Sequence, residues 1–110
     1  MKFDVQKDGT NVTFILHERK LDSSISPLAK GEFLILCKPK VSQLTIDLSE
    51  VEFCDSSGLS ALLIARRKMA EHGGQVILRN VHSRVRSLLK ITHIDRDFTF
   101  ADTGENAGTK

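Results

Sequence analysis

Apolar and polar positions alternate at both ends of the first seventeen residues. In Lys2-Phe3-Asp4-Val5-Gln6, Phe3 and Val5 share one face, and Val12-Thr13-Phe14-Ile15-Leu16 is β-branched and aromatic. Lys7-Asp8-Gly9-Thr10-Asn11 lies between them, and its Asp-Gly pair is a hairpin signal. Residues 17–26 are polar and irregular. Ser26-Pro27 then reads as an N-cap followed by proline at the first helical position. The wheel over residues 27–37 places Ile25, Leu28, Ala29, Ile35 and Leu36 on one side, and Pro39 closes the helix.

Residues 43–48 alternate again, with Leu44, Ile46 and Leu48 inward, followed by Val51 and Phe53. Asp55-Ser56-Ser57-Gly58 opens a helix over residues 59–72, which Gly73-Gly74 stops. A strand over 75–78, a helix over 83–91 and a short strand over 98–100 complete the pattern. In the helix over 83–91, Val85, Leu88 and Leu89 form the apolar face and Ser83 sits near the cap. The order β-β-α-β-α-β-α-β needs crossover connections, so most of the sheet can be parallel, with helices covering it. Residues 102–110 are too small and polar to pack, and read as a disordered tail behind one domain over 1–101.

Composition narrows the function classes. The 110 residues carry 16 Lys+Arg against 14 Asp+Glu, so charge is nearly balanced. Trp and Tyr are absent and Phe numbers six, a poor supply for stacking nucleobases, so nucleic acid is not an expected partner. No apolar run approaches the roughly 20 residues needed to span a bilayer, and no signal-peptide core opens the chain. Cys37 and Cys54 lie in apolar stretches without metal-ligand spacing, which favours a reducing, cytoplasmic setting. Cys54 reads as a small core hydrophobe.

Enzyme motifs are missing. GxSxG, HExxH, GxGxxG and the P-loop do not occur, and His17, His72, His82 and His93 are scattered. A nucleophile needs a base placed beside it, and none is evident for Ser56. The chain is therefore expected not to be an enzyme and to use no cofactor or metal.

The segment Phe53-Cys54-Asp55-Ser56-Ser57-Gly58-Leu59 carries most of the chemistry. It joins the carboxyl end of a core strand to the central helix, where binding sites of open α/β sheets gather. Asp and Ser there cap first-turn N–H groups, and a helix N-terminus favours negative charge. Two readings stand: a helix cap, or a phosphorylation site whose charge the helix end tolerates while a partner laid over it does not. On the central helix, Leu59, Leu62, Leu63, Ala65, Met69 and Ala70 form an apolar arc, with Arg66 inside it. Ile64 lies opposite, either an incidental exposed apolar residue or a partner contact. Arg79, Arg84, Arg86 and Lys90 make the third helix region basic, a solvated face or a contact for an acidic partner or anionic lipid.

Asp55-Ser56-Ser57-Gly58-Leu59, after the strand over 44–48 and Val51-Glu52-Phe53, resembles the signature of the STAS domain, and more narrowly that of a bacterial anti-sigma factor antagonist. Leu21-Asp22, Gly73-Gly74 and the run Val85, Leu88-Leu89, Ile91-Thr92, Ile94 extend the resemblance over residues 1 to about 100. It implies a mixed, mostly parallel α/β sheet packed with helices. It further implies binding to an anti-sigma factor that is also a serine kinase, which releases a sigma factor. That kinase would phosphorylate Ser56, and a serine phosphatase would reset it. Asp22, Asp55, Ser57, Gly58 and Leu59, with Ile64, are then the expected partner-binding positions. The alternative the resemblance leaves is a constitutive scaffold or adaptor in a signalling or lipid-transport complex. Two departures stand out: Arg19-Lys20 replaces the family's frequent Gly-Glu, and residues 102–110 lack the apolar stripe of a closing helix.

Overall fold

Gly9-Thr10 is the whole turn of the opening hairpin in the computed structural model, which describes residues 1–101. Gly9 has φ +63°, a left-handed conformation that glycine adopts without steric cost. The expected turn residues Lys7, Asp8 and Asn11 belong to the ladder, with Asp8 opposite Asn11. The expected tail over residues 102–110 lies outside the described residues.

In chain order the elements are β1 (Phe3–Asp8), β2 (Asn11–Leu16), β3 (Lys20–Leu21), α1 (Ser26–Leu36), β4 (Gln43–Asp47), β5 (Phe53–Cys54), α2 (Ser56–Ala70), β6 (Gln75–Arg79), α3 (Ser83–Ile91), a 3-10 turn (Asp95–Asp97) and β7 (Thr99–Ala101). The main sheet runs β1-β2-β4-β6-β7. Only the hairpin pairs antiparallel; the other three pairings are parallel, as the crossover order requires. Val5, Phe14, Ile46, Leu78 and Phe100 form one row across the sheet. Phe14, Ile46 and Leu78 of that row are fully buried. Helices α1 and α2 pack along each other. Phe33 of α1 meets Phe14 edge-on at 5.0 Å between centroids, and Phe14 stacks on Phe3 at 5.1 Å. As the central strand, β4 also buries Thr45 and Asp47 on its second side, so its inward positions are not only Leu44, Ile46 and Leu48.

Helix α1 differs from its expected face. The buried residues are Ser26, Ala29, Phe33 and Leu36, whereas Leu28 and Ile35 are exposed. The segment is apolar nearly all round, so the wheel alone does not choose a side; the Phe33–Phe14 contact does. Ser26 is the first helical residue and not the cap: Ile25 occupies that position without a side-chain bond. The Asp22 carbonyl instead accepts from the Ile25 and Ser26 N–H groups at 3.1 and 2.8 Å. Helix α2 ends earlier than Gly73, with Glu71 as C-cap. Gly73 turns with φ +78°, and the Gly74 N–H closes on the Met69 carbonyl at 2.8 Å. In α3 the cap is His82, not Ser83, and Leu88 is only half-buried beside the buried Val85 and Leu89.

Candidate functional site

A second, two-stranded sheet brings two distant loops together. Strands β3 and β5 pair in parallel, Lys20 opposite Phe53 and Leu21 opposite Cys54. The Glu52 and Phe53 N–H groups also donate to the Arg19 carbonyl, at 2.8 and 3.1 Å. The ladder therefore delivers Asp22 and Asp55, each one residue beyond the Leu21–Cys54 pair, to the same end. Helix α2 starts there. Asp55 is its N-cap: Oδ1 accepts from the Gly58 N–H at 3.0 Å. That leaves the first-turn N–H groups of Ser56 and Ser57 directed out of the helix end, where they favour negative charge.

Gly58 explains how the two pieces come so close. A Cβ there would sit 2.2 Å from the Leu21 carbonyl oxygen, 2.7 Å from Cys54 Sγ and 2.9 Å from Leu21 Cγ. No side chain fits between the first turn of α2 and β3. The glycine of the motif is thus a packing requirement of the site.

The structure sorts the expected site residues by exposure. Ser56 is exposed, and Asp22, Asp55, Ser57 and Ile64 are half-buried. Gly58 and Leu59 are buried, so they shape the helix start and have no surface to offer a partner. Ile64 is not the fully exposed residue the wheel suggests, and the buried face of α2 includes Ala61 in place of Leu63 and Ala70. Arg66 is exposed and reaches the 3-10 turn, 3.3 Å to the Asp97 carbonyl and 3.5 Å to its carboxylate. Its place in the apolar arc reflects a covered stem with a paired head.

Asp22 serves the turn as well as the face. Its Oδ1 accepts from the Ser24 hydroxyl at 2.6 Å and the Ser24 N–H at 3.0 Å. Those bonds, the hydroxyl's first, hold its carboxyl below the usual carboxylate range, so it stays charged beside the helix end. The Cys54 thiol is pushed up to about 12 by burial first and then by the Asp55 charge. It is a neutral filler under the site and no nucleophile.

Sequence reasoning missed three features, all made by contacts distant along the chain. His17 stands between two carboxylates, Nδ1 2.5 Å from Glu50 Oε2 and Nε2 2.9 Å from Asp4 Oδ2. Asp47, nine-tenths buried, takes Arg79 Nε at 2.8 Å and the Ser49 N–H at 2.9 Å. A groove forms where Arg19 and Lys20 of the β3 segment, Glu52, Phe53 of β5 and Arg84 of α3 converge. The advance signals for the groove were the unusual Arg19-Lys20 pair and the basic third helix that contains Arg84. Among the described residues no group of His, Cys, Asp and Glu is arranged to hold a metal ion.

Comparison with known proteins matches this geometry to a family. The STAS domain family model covers residues 4–107. An anti-sigma-factor antagonist (STAS) domain protein from Planctomyces limnophilus superposes with a TM-score of 0.82 at 22% identity, covering 96% of this chain and 93% of that one. The anti-sigma factor antagonist SpoIIAA in its unphosphorylated form gives 0.74 at 18% identity over 98% and 94%. SpoIIAA of Bacillus in its phosphorylated form gives 0.72 at 20% over 96% of each chain. A sulfate transporter family protein from Wolinella succinogenes gives 0.75 at 14% over 89% and 81%. Likeness at these identities establishes the fold. No helix among the described residues is long and apolar enough to cross a membrane.

Proposed function

From the premise that this chain belongs to the STAS domain family, we propose that it is an anti-sigma factor antagonist whose binding is gated by phosphorylation of Ser56. One observation carries the reading: an exposed serine at the first position of α2, next to Asp55 and at the end of the ladder that also holds Asp22. Unmodified, this face binds an anti-sigma factor that is also a serine kinase, and the sigma factor is freed. The kinase then directs the Ser56 hydroxyl oxygen at the γ-phosphorus of its ATP. The bond from that phosphorus to the bridging oxygen breaks, ADP leaves, and the hydroxyl proton passes to a base of the kinase. The phosphate adds about −2 beside Asp55 and Asp22. The domain tolerates that charge because it sits on first-turn N–H groups. A closely apposed partner does not, and the complex separates. A serine phosphatase hydrolyses the ester and restores binding. In this reading the chain is the kinase's substrate and performs no catalysis of its own.

A second reading is a constitutive adaptor, in which Ser56 only begins the helix. Its support is the sulfate transporter family protein that shares the fold. Paired capture from lysate separates the two, with Ser56→Ala and Ser56→Glu as baits and mass spectrometry as readout. The gated reading expects a kinase with an ATPase fold on the Ala bait alone. The same non-kinase assembly on both baits contradicts it and favours the adaptor.

A further inference from the structure

We infer that the groove beside Ser56 receives an extended acidic segment of the partner, with an apolar side chain seated on Phe53. This deepens the gated reading and rests on it. Arg19, Lys20 and Arg84 face a single carboxylate, Glu52, around the groove. Glu52 is taken by Arg19, whose Nη2 lies 3.1 Å from Oε1. The ion pairs among the described residues include neither Lys20 nor Arg84, and Lys20 acts on the Asp22 carboxylate only through space. Two cations from different elements thus line a groove with one apolar surface, and Phe53 is 45% exposed although its neighbour Cys54 is buried. An exposed aromatic ring in a groove lined mainly by cations is a poor neighbour for a basic segment and a good one for carboxylates spaced about a leucine or similar side chain.

The shape favours an extended chain. Two neighbouring clefts share its residues, one lined by Glu52, His82, Ser83 and Arg84 and the other including Arg19, Lys20, Asp22 and Ser24. The face is therefore polarised, acidic where Asp22 and Asp55 stand and basic at Lys20 and Arg84. An acidic segment on this face is drawn with its carboxylates toward Lys20 and Arg84. The sign also agrees with the switch. Phe53 and Ser56 are three positions apart, at most about 11 Å of chain. That upper bound is comparable with the roughly 8 Å over which physiological salt screens charge. A phosphate on Ser56 would repel the same segment that Lys20 and Arg84 attract.

The test uses an isotope-labelled full chain and a synthetic peptide of about nine residues, acidic around one central leucine, with a lysine-for-acid counterpart as control. In NMR titrations at low salt, the acidic peptide is expected to shift the amides of Lys20, Phe53 and Arg84, and the basic counterpart to leave them in place. Lys20→Glu/Arg84→Glu should weaken the acidic peptide at least tenfold, while Lys20→Arg/Arg84→Lys retains it. All four substitutions are at exposed positions, and an unchanged amide spectrum elsewhere shows that the fold is kept. No shift at these amides, equal shifts with the basic peptide, or equal binding by the charge-reversed variant would overturn the inference. The same charge-reversed pair, placed in the Ser56→Ala bait, should cut the affinity of the captured kinase at least tenfold; unchanged affinity also overturns it. Failure of the gated reading shows elsewhere, as equal kinase binding by Ser56→Ala and Ser56→Glu.

Discussion

Gly58 and Leu21 approach so closely that the β-carbon glycine lacks would fall 2.2 Å from the Leu21 carbonyl oxygen. That contact locks the first turn of α2 onto β3 and sets Ser56 beside Asp22. Gly58→Ala forces a backbone carbonyl and the helix start apart, which cannot be relieved by a side-chain rotation. We expect a loss at the upper end of the overpacking range, about 3 kcal/mol, in urea unfolding. Stability within 0.5 kcal/mol of the parent would mean that the approach is looser than described.

His17 links β1 to the loop after β4. Hydrogen bonds first to Glu50 and then to Asp4 raise its pKa above the ordinary 6.5. Because the folded value is the higher one, the stabilisation is complete below pH 6.5 and is lost as pH rises through the raised value. The unfolding midpoint of the parent should fall across that window, while His17→Gln should show a flatter profile there. Parallel profiles would remove the clamp from the account.

Asp47 and Arg79 face each other across β4 and β6. Burial pushes the Asp47 carboxyl up, but the Ser49 bonds and the Arg79 guanidinium outweigh it and hold the pKa below 3.8. Its contribution is present above pH 3.8 and is lost as pH falls through the folded value. Arg79→Met leaves a buried carboxylate short of its cation. The expected cost is about 2 kcal/mol at pH 7, below the 3–5 kcal/mol of about fully buried pairs because the Arg79 side chain is 30% exposed. An unchanged midpoint at pH 7 would contradict it.

Both thiols should be silent in the folded protein. Burial raises Cys37 to about 11, against a small opposing effect of Lys68, and Cys54 to about 12. At pH 8 a thiol reagent should label neither until denaturant is added. Rapid labelling of Cys54 in native protein would show that the floor of the site opens.

The sequence made strand alternation and helix stops legible because both are local. Phe3 and Val5, Val12 to Leu16, and Leu44 to Leu48 reveal their strands through side-chain period, and Asp55 its helix through cap chemistry. The two-residue β3 carried no such period: Lys20 and Leu21 become a strand only by pairing with Phe53 and Cys54. Leu28 and Ile35 were assigned to the wrong side because α1 is apolar in most directions. The motif over residues 55–59 was legible as a capped strand-to-helix junction, but which of its residues face solvent was not. Gly58 and Leu59 turned inward because α2 crosses β3 there, and Phe53 and Arg84 joined the face through a groove built from three elements.

The most direct measurement titrates the partner kinase, without nucleotide, into the unmodified chain and into the chain carrying phosphate on Ser56 alone, by calorimetry. Repulsion and desolvation at an interfacial charge of this kind are worth several kcal/mol. The account predicts tight binding to the unmodified chain and an affinity at least about thirtyfold weaker once Ser56 is phosphorylated. Equal affinities would contradict it and leave Ser56 as the start of a helix and nothing more.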